Sequence, residues 1–373
     1  HKLKSPLIAS ETVLNSKIEF EGSNKNLDLS IYTEVYEDLS KETSNRYEYI
    51  FPSYSLTKYL ETSLEGELYF TSNGNHKLYD TNVSQKTMTN DLNYQSLKNI
   101  SSNGYVTNYE LLLKNSNSDS KNSKSSKNEL DQNLQSIIKY QIQYPLKKEG
   151  LKFDSILTPI LSARFSPNKS KNIKGSDRVI DYNNIFSLNR IGSSETVEGG
   201  QSITIGNEFK TLDKLGNEIF SLNLAAMLRD EENLDLPEKS TLNRKSSNVV
   251  GEMLFKPKEF LDLKYNFSLD NDIQTLNYNL VDAKISINNF VTSFEFLEKN
   301  NIIGDESYLS NKTTLNLSDN TSLSFNTRRN KQLGLNEYYD LIYEYKNDCL
   351  KAAIEYKKSY YEDGDFKPEE QIY

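Results

Sequence analysis

Hydrophobic and polar positions alternate with a period of two along most of this chain, the signature of half-buried β-strands. The clearest case is FLDLKYNFSLD. Leu261, Leu263, Tyr265, Phe267 and Leu269 form one face, while Asp262, Lys264, Asn266, Ser268 and Asp270 form the other. Such alternation fits a strand with one apolar and one wet surface. Ile18 and Phe20 alternate with Lys17 and Glu19, and Leu27, Leu29, Ile31 and Val35 with Asp28, Ser30 and Glu34. Near the end Tyr339, Leu341, Tyr343 and Tyr345 oppose Asp340, Glu344 and Lys346, with Ile342 the exception. The pattern breaks at Asn347 and Asp348, then restarts with Leu350, Ala352, Ile354 and Tyr356 against Lys351, Glu355 and Lys357. Cys349 sits at the tight turn between these two predicted strands.

Not every segment is this legible. Pro52 marks the start of Phe51 to Tyr59 as a strand entry. Asp80 to Asn103 is polar with scattered apolar residues, and its strands are poorly defined. Asn115 to Asn133 is low-complexity Ser, Asn and Lys and reads as a long solvated loop. Strands resume near Leu134, at Phe153 to Phe165, Ile203 to Phe209, Ile219 to Leu228, Thr313 to Leu317 and Leu323 to Thr327. Ser166 to Gly200 reads as an irregular connection and Arg229 to Ser246 as a polar loop.

The connections alternate in length. Working back from the C-terminus, Glu362 to Pro368 is long, Asn347 to Cys349 short, Arg328 to Asn336 long, Ser318 to Asn320 short and Glu298 to Ser307 long. The turn at Asn288 and Asn289 is short, and Asp270 to Asp272 is short where a long one is due. Lys256 to Glu259 is short, Arg229 to Ser246 long and Thr211 to Asn217 short. Outer-membrane barrels sort their loops in this way, with the short turns on the periplasmic side. The reading is therefore an all-β, antiparallel transmembrane β-barrel of which this chain supplies roughly 18–20 strands. By itself a lone Cys reads as a packed residue; the alternative comes from the loop rhythm, which puts Cys349 in an oxidising compartment where a thiol can pair with one from another segment.

Composition narrows the classes. The chain has 373 residues, a net charge of -9, 11% aromatic residues, 25 Tyr, 16 Phe and no Trp. The negative balance speaks against a general nucleic-acid binder, and the aromatic content speaks against disorder. Tyr has an apolar body and a polar tip, which suits surfaces half apolar and half wet. No apolar run approaches the ~18 residues of a membrane-spanning helix, a test to which strands are not subject. The opening HKLKSPLIAS lacks the pattern of a signal peptide. One cysteine excludes an internal disulfide and a Cys-based zinc cluster.

Candidate chemistry is sparse. No nucleotide-binding glycine loop, Walker sequence or metal-binding helix motif is present, and His1 and His76 are the only histidines. Asp363 and Asp365, beside Glu362 and Gly364, read as a solvated loop in preference to a carboxylate pair. Asp177 with Arg178 reads the same way. The expectation is a protein that is not an enzyme, with no cofactor and no metal.

Several stretches are more specific. SNVVGEMLFKPKEFLDLKYNFSLDND resembles the LptD family of lipopolysaccharide-assembly barrels, with its Ser-(Asp/Asn)-x-x-Gly opening, Pro-bearing turn and Leu-x-Leu-x-Tyr-x-Phe-x-Leu-Asp strand. LTPILSARFSPN followed by DYNNIFSLNRIGSSETVEGGQSITIG is similar to that family's Pro-bearing strand and its Asn-x-Phe-Ser-x-Asn-Arg loop closing on Glu-Gly-Gly. NEYYDLIYEYKNDCLKAAIEY resembles the family's end, where a Cys follows an acidic turn. EDGDFKPEE resembles an Asp-Arg-Asp-x-x-Pro loop, with Gly364 where the family has Arg. The resemblance runs from about Leu157 to Tyr373 and thins to strand rhythm before that.

The resemblance implies a periplasmic jellyroll followed by a barrel of roughly 26 strands, acting as a lipopolysaccharide translocon in the outer membrane of a Gram-negative bacterium. The implied partners are lipopolysaccharide, an LptE-type lipoprotein plug in the lumen, periplasmic bridge proteins reached through the N-terminal domain, and outer-membrane lipids; no nucleic acid is implied. It also implies a disulfide from Cys349 to a cysteine outside this chain. Residues 1–373 would then be an outer-membrane barrel domain truncated at both ends. Leu261, Leu263, Tyr265, Phe267 and Leu269 would face lipid. The alternatives are another outer-membrane barrel, a porin or plugged receptor, and a soluble β-rich binding protein.

Overall fold

A computed structural model describes residues 13–42, 45–80, 82–123, 128–360 and 369–372. These residues form one antiparallel sheet of 21 strands. The first part comprises β1 (Val13–Asn24), β2 (Leu27–Asp38), β3 (Tyr47–Leu60), β4 (Gly66–Tyr79), β5 (Val83–Ser96), β6 (Asn99–Ile100), β7 (Val106–Lys121), β8 (Asp131–Gln143), β9 (Leu146–Glu149) and β10 (Phe153–Ser166). The second comprises β11 (Gly200–Asp213), β12 (Glu218–Arg229), β13 (Val249–Lys258), β14 (Leu261–Leu269), β15 (Leu276–Ile287), β16 (Phe290–Lys299), β17 (Glu306–Ser318), β18 (Thr321–Asn330), β19 (Leu335–Lys346), β20 (Lys351–Ser359) and β21 (Glu369–Ile372). One short helix, α1 (Tyr182–Ile185), lies in the β10–β11 connection.

Strand follows strand in sequence order, each paired with the next. Two positions are split: β5 and β6 both pair with β7, and β8 and β9 both pair with β10. Among the described residues β1 and β21 pair with one neighbour each, so the sheet is not closed on itself.

Residues directly opposite in an antiparallel pair lie on one face, so the register fixes which side chains share a surface. Asp262, Lys264, Asp282, Lys284, Glu295, Lys312, Asp340 and Lys357, from strands between β14 and β20, line a single cavity of about 610 Å³. The long connections pack over this same wet face, as inward loops do in a barrel, and it therefore reads as the concave one. The convex face carries exposed apolar side chains across the sheet, including Leu161 and Phe165 on β10, Ile203 and Ile205 on β11, Phe294 on β16 and Leu341 and Tyr343 on β19.

The loop rhythm holds along the sheet. Residues 25–26, 259–260, 288–289 and 319–320 make the turns on one rim, and residues 167–199 and 230–248 are the long connections on the other. The Asp270 connection, read as short, spans residues 270–275, and so conforms. The rhythm breaks instead at the short β4–β5 turn on the long-loop rim and at residues 97–105, which join β5 to β7 on the short-turn rim, and the connection read as long from Arg328 to Asn336 narrows to residues 331–334.

Three readings need correction. Asn115 to Asn133 is mostly strand, since β7 runs to Lys121 and β8 begins at Asp131. Its polar side chains are held by partners that composition does not reveal: the buried Ser116 donates to the Glu195 carbonyl at 2.8 Å. The ill-defined stretch after Asp80 holds β5, paired along its length with β4. Pro52 lies inside β3, which begins at Tyr47, and sits at a bulge where the register shifts between Ile50 and Ser53. A bulge tolerates a residue without an N–H that a regular ladder would not.

Candidate functional site: the lumenal wall and its inward loops

The two longest connections fold onto the concave face of β10 to β13. α1 begins with a reciprocal cap, Asp181 Oδ1 accepting from the Asn184 amide at 3.0 Å and Asn184 Oδ1 accepting from the Asp181 amide at 3.1 Å. Its Ile185 is fully buried together with Ile191, Met227, Leu236, Leu242 and Val250. Arg229 to Ser246 is thus not simply a polar loop, because Leu236 and Leu242 anchor it to the wall. Gly206 on β11 leaves room for this packing: a Cβ there would stand 2.5 Å from the Phe186 ring.

A row of charges lies beneath the loops. Glu110, Lys139, Arg164, Ser202 and Arg229 stand opposite one another across β7, β8, β10, β11 and β12. From the loop above, Arg190 makes a two-pronged contact with Glu198, Nε to Oε2 and Nη2 to Oε1 both at 2.6 Å. Arg190 Nη1 also donates to Thr204 at 2.8 Å and Nη2 to Ser202 at 2.9 Å. Arg229 Nη2 reaches Glu198 Oε1 at 3.1 Å, and its Nη1 caps the Leu242 carbonyl at 2.9 Å. Arg164 donates to the Ser187 carbonyl, and Lys139 bridges Glu110 at 2.6 Å and the Phe186 carbonyl at 2.8 Å.

Arg190, Arg229, Arg164 and Glu198 are all more than nine-tenths buried. Burial would push the Glu198 carboxyl up. Arg190, through charge and hydrogen bonds, with Arg164 and Arg229, overcomes this and holds it down at about 2. The carboxylate is therefore ionised, and it ties two long loops to the strands of the wall.

The sequence pattern did not bring these four residues together. One signal is in the sequence: Arg190 and Glu198 both fall within the stretches that resemble the Asn-Arg loop and the Glu-Gly-Gly closure. Gly199 shows why that closure is narrow, for a Cβ there would lie 2.3 Å from the Asn168 carbonyl oxygen.

The five residues singled out on β14 share one face, opposite Asp262, Lys264 and Asn266. Leu263 lies between Phe255 and Ala283, and Tyr265 between Met253 and Val281. All five are half-buried. Phe267 stacks on Tyr265 at 5.1 Å and covers Gly251, where a Cβ would meet its ring at 2.3 Å. Tyr265 donates from its hydroxyl to Asn279 at 2.8 Å.

Cys349 is exposed on the short-turn rim. Asn347 shapes its turn, accepting from the Cys349 amide at 3.0 Å and the Leu350 amide at 2.7 Å. As the single cysteine of these 373 residues, it is expected to react as one free thiol per monomer when they are folded on their own, without the outside cysteine; finding none would overturn that. His1, Asp363, Asp365 and the Gly364 loop lie outside the described residues.

A β-sheet with an apolar convex face, a charged concave face and loops folded inward defines the class of outer-membrane barrel walls. Within that class, residues 4–330 match the family model of LptD, LPS transport system D, and the chain belongs to that family. Membership places it in the outer membrane of a Gram-negative bacterium. No curated protein sequence matches the chain. Among solved structures, the siderophore receptor PirA from Acinetobacter baumannii is similar at 7% identity and a TM-score of 0.43, covering 93% of this chain and 65% of its own. The ferric enterobactin receptor PfeA from Pseudomonas aeruginosa, a mutant in complex with enterobactin, matches at 10% identity and 0.43, over 97% of this chain and 69% of that one. The chain thus spans about two thirds of the length of either receptor.

Proposed function

We propose that this chain is the wall of a lipopolysaccharide translocon that inserts lipopolysaccharide into the outer leaflet of the outer membrane. The observation that carries the reading is the two-faced sheet in a chain of the LptD family. A glycolipid needs an apolar route for its acyl chains and a polar one for its sugars, and a wall with charged and apolar faces borders both. The transport needs no covalent chemistry, so the protein acts without enzymatic activity and without a cofactor.

On this reading its partners are lipopolysaccharide, the lipids around the convex face, an LptE-type lipoprotein seated in the lumen, and periplasmic bridge proteins docking through a domain outside this chain. Leu261, Leu263, Tyr265, Phe267 and Leu269 meet lipid, and Cys349 pairs with a cysteine outside this chain. Depleting the full-length protein in its own bacterium is expected to remove newly made lipopolysaccharide from the cell surface while outer-membrane porins continue to insert. Unchanged surface lipopolysaccharide would sink the proposal. A steady ion conductance through the protein in planar bilayers, with surface lipopolysaccharide unchanged, would favour the porin alternative.

A further inference from the structure

The concave wall is interrupted far from the inward loops. At Pro52 the β3 register slips on both sides, between Tyr32 and Glu34 against β2 and between Ile50 and Ser53 against β4. Bulges bend a strand and re-aim its side chains, and they gather beside functional sites. Here a cavity of about 660 Å³ opens over the bulge, lined by Ile50 and Ser53 from its two flanks. Small-ligand sites typically occupy about 300–1,000 Å³. Lys41, Asn45 and Arg46 from the β2–β3 connection also line it, so it lies toward the long-loop rim.

The lining combines rings with neutral hydrogen-bonding groups. Tyr32, Tyr36, Tyr47 and Tyr79 contribute rings and hydroxyls, while Ser53 and Asn75 contribute a hydroxyl and an amide. Lys17 sits over Tyr32, 4.3 Å from the ring centroid, which leaves Tyr36, Tyr47 and Tyr79 as the rings a ligand can lie against. The Asn75 amide lines the cavity, and its Oδ1 is buried with no hydrogen-bond partner among the described residues, so a ligand donor meets it once the amide turns outward. A buried acceptor left unpaired costs free energy that a ligand donor would recover.

The charges at the site offset one another. Lys77 pairs with Glu48 at 3.0 Å, Arg46 with Glu37 at 3.7 Å and Lys41 with Asp38 at 3.8 Å. A phosphate site would present cations free to make charge-assisted bonds, whereas each cation here already faces a carboxylate. What remains suits a neutral molecule rich in hydroxyls, with C–H faces to lay on tyrosine rings and O–H groups to donate to an amide oxygen.

We propose that the cavity over the β3 bulge is a saccharide subsite, which takes neutral sugar units of the glycolipid on the lumenal side of the wall. This rests on the transport reading, and its test can fail separately. The probe is core oligosaccharide released from lipopolysaccharide by mild acid, with and without enzymatic dephosphorylation, titrated by calorimetry against the full chain folded in detergent. Both forms are expected to bind with affinities within threefold of each other, and inorganic phosphate is expected not to compete. Tyr36→Leu and Asn75→Ser are each expected to weaken binding at least tenfold, with Leu215→Ser in the exposed β11–β12 turn as an unaffected control. Tyr36→Phe, which keeps the ring, serves where the Leu variant fails to fold, and is expected to retain binding within threefold. Binding that needs the phosphates, that survives both cavity substitutions, or that is absent from the folded wild type overturns the subsite. Those outcomes leave the transport reading standing, since that one is judged by lipopolysaccharide at the cell surface.

Discussion

Replacing Glu198 by Gln is expected to destabilise the attachment of the two inward loops by about 3–5 kcal/mol, the usual cost of removing one partner from a buried ion pair. The carboxylate receives Arg190 at 2.6 Å on each oxygen and Arg229 at 3.1 Å. Without its charge, three buried guanidiniums face one another with only Glu110 beside Arg164 and Asp230 beside Arg229 left to offset them. The loss should appear locally, because the strand ladders do not depend on the loops and partial opening draws on the least supported segment. Amide exchange at Ile185 and Val197 is the appropriate readout, and it should accelerate by about two to three and a half decades at about 1.4 kcal/mol per decade. Exchange unchanged within a factor of three would show that the cluster does not hold the loops.

The same carboxylate sets a pH dependence whose sign is fixed. Its folded value of about 2 lies below the ordinary 4.5. Its stabilising contribution is therefore complete above about 4.5 and is lost as pH falls through about 2. Loop exchange in the wild type, corrected for intrinsic rates, should rise through that window, and in Glu198→Gln it should be flat there.

The sequence was most legible where a side chain's position depends on strand parity alone. β14 and the β19–β20 hairpin were readable to within a residue or two, because alternation and turn chemistry are local. The polar strand β7 was not, because Ser116 is stabilised by Glu195, a residue on a loop 79 positions away. The inward loops were hidden for a related reason. Leu236 and Leu242 look like isolated apolar residues in a polar stretch until the loop is laid over Met227 and Val250. Arg164, Arg229 and the loop's Arg190 and Glu198 lie on three segments, and no period in the chain joins them. The cavity over β3 is not legible in the sequence, because Pro52 there reads as a strand entry, whereas inside a strand the same residue marks the bulge.

Leu263→Arg should cost about 2–4 kcal/mol in a bilayer if that position lies near the midplane, because an arginine on the lipid face must be carried into hydrocarbon. The adjacent residue provides the contrast. Lys264 points to the concave side, where its Nζ meets Glu252 at 2.9 Å with much of the side chain exposed. The ammonium is half exposed but the Glu252 carboxylate is largely buried, so Lys264→Met should cost about 1 kcal/mol, the upper end for pairs at the surface and still below the lipid-face penalty. Since the penalty on the lipid face falls to about 0–1 kcal/mol near the interfaces, arginine placed in turn at Leu261, Leu263, Phe267 and Leu269 should trace a depth profile with its maximum between the strand ends. Reversible urea unfolding from lipid vesicles measures each step. A flat profile, or a Lys264 variant costlier than Leu263→Arg, would mean that this face of β14 does not meet lipid, and would remove the convex surface from the translocon wall.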